Sequence, residues 1–201
     1  MSGHEHKDYT GAKFGMWLFL FTEVLLFGGL FILYGVYLAR YPREFVTAGK
    51  ELNVWFGGGN TLVLLTSSLF VAVSITALRK GSTRLCLGLL GGTVACAALF
   101  MINKFFEWSA KIHHGIYPGS AHLKELLPGE MVFFNIYYLT TGLHGIHVVI
   151  GAAVLVWSML LIRSGKVHAG DWVILENAGL YWHLVDLIWI FIFPLYYLIL
   201  H

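Results

Sequence analysis

The sequence predicts an all-α fold, a polytopic membrane protein whose five transmembrane helices pack as one bundle. Composition is the first reason, because 58% of the 201 residues are hydrophobic and only 12% are charged. A soluble domain carries about twice that charged fraction. The second reason is that the apolar residues fall into five runs, each long enough to cross a hydrocarbon core about 30 Å thick. Residues 1–13 are predicted to form a polar tail and residues 14–201 a single transmembrane domain.

The polar tail does not resemble a secretory signal peptide, because its charges are mixed and the apolar run after it is too long. The first span is therefore predicted to stay uncleaved. Its His4-Glu5-His6 triplet could hold a metal ion, although a simple terminal tail is the favoured interpretation.

Polar or basic connections separate the predicted spans, which cover residues 14–39, 54–78, 85–106, 131–162 and 175–200. Pro42 ends the first helix, since proline lacks the N–H that a helix interior needs. The second span has no charge and is rich in Ser, Thr and Gly. Such small residues let helices approach closely, which favours an internal position.

Each of the last three spans has a distinguishing feature. Span three ends at Lys104, Glu107 and Trp108, a combination typical of the membrane interface. Span four has no charged residue along about 48 Å of helix, so it is predicted to tilt or to project beyond the lipid. Span five contains Pro194, which predicts a kink.

The short loops predict the orientation of the chain. Two connections lie on the same side as the N-terminus and carry Arg79, Lys80, Arg84, Arg163 and Lys166. Because short basic loops stay in the cytoplasm, the N-terminus is predicted to be cytoplasmic and the C-terminus to lie on the opposite side.

Glu23 is the one charged residue inside the first span. It lies about 13 Å along the helix from Phe14, near the middle of a bilayer. An ionised acid there costs at least about 2.5 kcal/mol, so Glu23 is expected to be neutral, paired or beside water. The alternative is a protonated side chain that only holds neighbouring helices together.

Two further polar pairs lie inside the predicted helices, His144 with His147 and His183 with Asp186. The i, i+3 spacing puts both members of a pair on one helix face. The simplest closed arrangement pairs Glu23 with an imidazole of span four. His183 and Asp186 then form a second polar layer.

A haem site usually needs histidines paired across helices, and a copper or zinc site needs three or four convergent ligands. The histidines of this sequence favour neither kind of site. Hydrogen-bonded structural histidines are favoured. A proton path through Glu23, His147, His183 and Asp186 stays an alternative, since such residues form relays in pumps. No catalytic set and no phosphate-binding loop is visible. A net charge of +2 with no basic run argues against nucleic acid as a partner.

Four segments resemble subunit III of the haem–copper cytochrome c oxidases: FTEVLLFGG, NTLVLLTSSLFVAVSIT, TTGLHGIHVVIG and YWHLVDLIWIFIFPLYYL. The resemblance extends from Phe14 to Leu200 and fits the short five-helix bacterial form. The motif positions of the family fall on Glu23, Glu107, His144, His147, Glu176, Trp182, His183 and Asp186.

The resemblance implies a non-catalytic subunit of an oxidoreductase, without a cofactor of its own, in the inner membrane of a bacterium. Haems and copper are expected in the partner subunits I and II. The chain is expected to pack on subunit I, to bind phospholipid and to support proton uptake. A small subunit IV or a respiratory supercomplex is a further candidate partner.

Several alternatives stay open at this stage. Subunit III of a quinol oxidase and the accessory protein of nitric-oxide reductase are short relatives of the same family. From a different class, a free-standing proton transporter is disfavoured, because transporters are typically built from repeats and the two halves of this chain show none.

Overall fold

The computed structural model describes residues 9–199, and the predicted all-α fold is confirmed. The described chain forms seven α-helices and a final π-helical turn: α1 (Tyr9–Arg40), α2 (Pro42–Gly49), α3 (Val54–Arg79), α4 (Thr83–His113), α5 (Ala121–Glu125), α6 (Pro128–Arg163), α7 (Val173–Phe193) and the turn Pro194–Leu198. Five of these helices, α1, α3, α4, α6 and α7 with its turn, are long and apolar enough to cross a membrane. The chain therefore fits a multi-pass membrane protein.

Two predicted boundaries differ from the structure. Helix α1 begins at Tyr9, inside the predicted polar tail, and the His4-Glu5-His6 triplet lies outside the described residues. Helix α4 continues to His113, well past the predicted end at residue 106. The charges near residue 106 marked a membrane edge in the sequence, but in the structure they are buried within a helix that continues.

Helices α6 and α7 form the centre of the bundle. Helix α6 packs on α1, α4 and α7, and helix α7 packs on α1, α3 and α6. Their close approach depends on Gly151, because a Cβ atom there would lie 2.9 Å from the Trp182 ring. Helix α1 is peripheral and buries only three side chains, Leu20, Phe27 and Tyr34.

The ends of the bundle opposite the N-terminus are closed by α2 and by the π-helical turn. Pro42 stands in the first turn of α2, where its missing N–H costs nothing. Pro194 marks the point where α7 changes from an α-helix to a π-helical turn. The Tyr34 hydroxyl donates a hydrogen bond to the Leu195 carbonyl at 2.5 Å, which ties this turn to α1.

Candidate functional site

Glu23 of α1 and His147 of α6 form the predicted pair between the first and fourth spans. The Glu23 Oε2 and His147 Nε2 atoms are 2.8 Å apart, while His147 Nδ1 lies 2.7 Å from the Leu143 carbonyl oxygen. Because a carbonyl oxygen only accepts, Nδ1 must carry a hydrogen. One proton then lies between Glu23 and His147, either on the acid in a neutral pair or on Nε2 in an ion pair.

The two side chains of this pair are largely shielded from solvent. The two side chains are 14% and 11% exposed, and the Phe27 ring meets the imidazole edge-on at 5.2 Å. The pair lies near the middle of α1, at the edge of the bundle rather than at its centre. It is therefore screened from water but close to the outer surface of the membrane-spanning bundle.

His144 is buried like His147 but differs from it in its contacts. Its side chain is fully buried, and neither ring nitrogen has a hydrogen-bond partner among the described residues. The ring instead packs against Phe100 at 5.5 Å and Trp189 at 5.2 Å. Of the two histidines one turn apart, His147 turns toward α1, whereas His144 turns toward α4 and α7.

Two polar side chains of α7, His183 and Trp182, meet hydroxyl groups of α3. His183 Nδ1 lies 2.6 Å from the Ser68 hydroxyl oxygen. Trp182 Nε1 donates to the Ser67 hydroxyl at 3.0 Å. The Asp186 carboxyl is 3% exposed, and neither oxygen has a hydrogen-bond partner within residues 9–199. The sequence predicted an internal, hydroxyl-rich helix but not these pairings.

Sequence reasoning missed a buried charge cluster formed by Lys104, Glu107, Tyr137 and Tyr197. The Lys104 ammonium lies 2.9 Å from Glu107 Oε2 and donates to the Tyr137 and Tyr197 hydroxyls at 3.1 and 3.0 Å. Both hydroxyls also donate to Glu107 Oε1, at 2.8 and 2.6 Å. The cluster joins α4, α6 and the π-helical turn through hydrogen bonds to both charges.

Lys104 and Glu107 are only 6% and 8% exposed, so both charges lie inside the bundle and join its helices. Their i, i+3 spacing was the available signal, since it allows an ion pair on one helix face. Trp108 is half-buried and packs edge-on against Tyr138 at 5.1 Å. Glu176 stands in the first turn of α7 and pairs with Lys13 at 2.9 Å.

An apolar cavity of about 560 Å³ separates part of α4 from α6. Its walls include Met101, Phe105 and Trp108 on α4 and Gly142 and Gly145 on α6. Within residues 9–199, no three His, Cys, Asp or Glu side chains converge as metal ligands. The Glu23–His147 pair can share a proton, and the apolar cavity can accommodate a hydrocarbon chain.

Comparison with known families decides the class of the chain. A family model described as cytochrome c oxidase subunit III matches residues 1–199. The chain belongs to the cytochrome c oxidase subunit III family. The recognition made from the four sequence segments is confirmed.

Members of this family with similar sequences come from different oxidases. The chain is 31% identical to cytochrome c oxidase subunit 3 of Thermostichus vulcanus, over 98% of this chain and 90% of that protein. It is 28% identical to cytochrome bo(3) ubiquinol oxidase subunit 3 of Pseudomonas aeruginosa, over 97% and 89%. It is 27% identical to the haem–copper oxidase subunit I+III of Aeropyrum pernix, over 97% of this chain and 24% of that protein.

Proposed function

We propose that this member of the subunit III family is the non-catalytic third subunit of a haem–copper terminal oxidase of the cytochrome c oxidase type. It packs on subunit I and supports proton uptake while the complex reduces oxygen. The Glu23–His147 pair, which holds one proton inside the membrane-spanning bundle, carries the proposal. The haem and copper centres belong to subunits I and II.

Proton handling follows from the geometry of the pair. The 2.8 Å distance lets the shared proton move between Oε2 and Nε2 without a rearrangement of either helix. Acid and imidazole groups inside membranes commonly mark proton routes, because they are expensive to keep there. The pair lies at the edge of the bundle, so a group on a neighbouring subunit can exchange a proton with it.

The association with subunit I is supported by the relative from Aeropyrum pernix. Its name joins subunits I and III, and this chain aligns with 24% of its length. Fusion into one chain keeps two partners at a high effective concentration. The same two units, on separate chains, are proposed to assemble by contact within the membrane.

The proposed orientation puts the N-terminus in the cytoplasm and the C-terminus outside, in a bacterial inner membrane. The burial of two lysines strengthens the loop-charge argument for this orientation. Lys104 and Lys111, which lie toward the C-terminal side, are 6% and 7% exposed and bind protein groups. They do not act as free loop charges, so the basic loops on the N-terminal side weigh more heavily.

The α4–α6 cavity supports the proposed binding of phospholipid. It has a volume of about 560 Å³ and almost entirely apolar walls, which suit an acyl chain. The Trp108 ring lies close to the α6 backbone at Gly142, because a Cβ atom there would be 3.2 Å from the ring. Replacing Gly142 with leucine should displace bound lipid, measured by mass spectrometry of the extracted complex.

Purification from the native membrane tests the assignment. The chain, tagged and extracted in mild detergent, should carry with it a subunit that shows the absorption spectrum of haem. A preparation of intact, folded chain without any haem-containing partner would refute the proposed function.

A quinol oxidase is the second candidate, and the Pseudomonas aeruginosa relative favours it. That protein matches 97% of this chain and is named for a ubiquinol oxidase. The purified complex should be supplied with reduced cytochrome c and, separately, with ubiquinol. Oxidation of cytochrome c supports the main proposal, and oxidation of ubiquinol alone supports the second.

A further inference from the structure

The Ser68–His183 pair is a half-buried polar group in the middle of the membrane-spanning region. Ser68 lies eleven positions before Arg79, the end of α3, and His183 ten positions after Val173, the start of α7. At about 1.5 Å per residue, both lie about 15 Å from the same ends of their helices. That depth is the centre of a hydrocarbon core about 30 Å thick.

His183 has hydrogen-bonding capacity that the described chain does not use. Its Nδ1 atom meets the Ser68 hydroxyl at 2.6 Å, but Nε2 makes no hydrogen bond within residues 9–199. His147, at the edge of the same bundle, uses both ring nitrogens. The exposed Thr22 and Thr66 hydroxyls are also satisfied, since each donates to a carbonyl of its own helix.

The surface around His183 is otherwise apolar. Leu65 and Leu69 on α3 are 45% and 60% exposed, and Ile190 on α7 is 43% exposed. Leu65 lies three positions before Ser68 and four before Leu69, and Ile190 lies seven positions after His183, so each of these spacings puts two residues on one helix face. We call this surface, made of Leu65, Ser68, Leu69, His183 and Ile190, the α3–α7 face.

Lipid is a poor cover for this face. Hydrocarbon offers no hydrogen-bond partner, so an unpaired imidazole nitrogen at this depth costs free energy. A neighbouring transmembrane helix satisfies such a group with a polar side chain of its own. The buried Asp186 carboxyl lies close to the Ser68 hydroxyl and adds to the polarity behind the face.

We propose that the α3–α7 face is the surface on which subunit I docks, with a polar side chain of a subunit I helix bonded to His183 Nε2. This inference rests on the proposed function, which names subunit I as the partner but not the face that meets it. The apolar residues around His183 then pack against that helix and keep the hydrogen bond dry.

Partner helices that pack against α1 are weaker candidates for this position. They would first meet α1, whose outer residues Trp17, Leu25 and Ile32 are 61%, 60% and 71% exposed. That surface is apolar and requires no hydrogen bond. The α3–α7 face belongs to other helices, and among the described residues α1 packs mainly on α2, α6 and α7 rather than on α3.

Site-specific photocrosslinking in the assembled oxidase tests the docking face. A benzophenone amino acid replaces Leu69 on the α3–α7 face or, as a matched control, Ile150 on α6, which is 47% exposed and lines the α4–α6 cavity. Native membranes are irradiated, and the products are identified by mass spectrometry. The Leu69 position should crosslink to subunit I, and the Ile150 position should not.

Each other outcome of this experiment contradicts the docking face. Crosslinks from Leu69 only to lipid, to another chain or to a second copy would overturn it, as would crosslinks to subunit I from Ile150 alone. Failure of unmodified subunit III to copurify with any haem subunit is a different result, because it refutes the proposed function instead. Wild-type copurification is therefore measured first.

Substitutions at His183 provide a second measurement. His183→Ala should lower retention of this chain on subunit I in a detergent titration by about three- to tenfold, as expected for one hydrogen bond between helices. His183→Gln should restore most of it, because its amide both donates and accepts. Equal retention in wild type and His183→Ala, with equal chain in the membrane, would contradict the proposal.

Discussion

The bundle contains two buried acid–base pairs, Lys104–Glu107 and Glu23–His147, which differ in the number of groups that hold them. Glu107 is held by a lysine and two tyrosine hydroxyls from three elements of the fold, so its charge is fixed in place. Glu23 has one partner, His147, at the edge of the bundle. Three side chains hold Glu107, whereas the Glu23–His147 pair holds a proton that can lie on either partner.

This difference supports a structural role for Lys104–Glu107 and the proposed proton role for Glu23–His147. A buried ion pair is retained when hydrogen bonds compensate both charges, because the loss of water is otherwise too costly. The Lys104–Glu107 cluster meets that condition and locks α4 to α6 and the π-helical turn. The Glu23–His147 pair makes fewer hydrogen bonds, which supports the proposal that it exchanges its proton during turnover.

The largest effect on stability is expected from Lys104→Met. The substitution leaves the Glu107 carboxylate buried without its cation, which typically destabilises a protein by about 3–5 kcal/mol. The free energy of unfolding, measured by denaturant titration in detergent micelles, should fall by that amount. Lys124→Met, at an exposed lysine on α5, is the control and should change little.

The double variant Lys104→Met with Glu107→Leu sharpens the same test. It removes both charges, so most of the lost stability should return. Equal destabilisation in the single and double variants would show that packing, and not an unpaired charge, causes the loss.

A smaller loss is expected from Glu23→Ala. This change leaves His147 Nε2 without its partner in a nearly dry site, a cost of about 1–3 kcal/mol. The same unfolding titration measures it, and Thr22→Ala, on the neighbouring exposed position of α1, provides the control. A loss as large as that of Lys104→Met would contradict the distinction between the two pairs.

The smallest effect is expected from Lys13→Ala. Its ion pair with Glu176 is 2.9 Å long, but the side chains are 45% and 32% exposed. Exposed pairs contribute about 0–1 kcal/mol, so the unfolding midpoint should hardly move. A change above that range would show that this end of the bundle depends on the pair.

The sequence predicted most of the fold because the free energies of placing apolar runs and a lone acid in a membrane are large. Five apolar runs required five helices, and a lone acid inside one run required a partner. Glu23 could be assigned to an imidazole of span four for that reason, although His144 and His147 could not be distinguished. Their difference depends on how α6 is rotated against α1, which tertiary packing sets.

The Lys104–Glu107 cluster was missed for a related reason. Charges at the end of an apolar run usually mark the membrane surface, and only the tyrosines of two distant segments reveal that this end is buried. The partners of His183 and Trp182 were hidden in the same way, because α3 contains several hydroxyl residues. Sequence spacing does not show which hydroxyl faces which helix.

The lifetime of the oxidase during turnover tests the central claim, that Glu23 and His147 handle a proton. Glu23→Gln keeps a hydrogen-bonding group but removes the proton that the pair exchanges. The assembled variant should start at a normal rate of oxygen consumption and lose activity faster than wild type over successive turnovers. Loss at the wild-type rate, in a complex that contains a full amount of this chain, would contradict the claim.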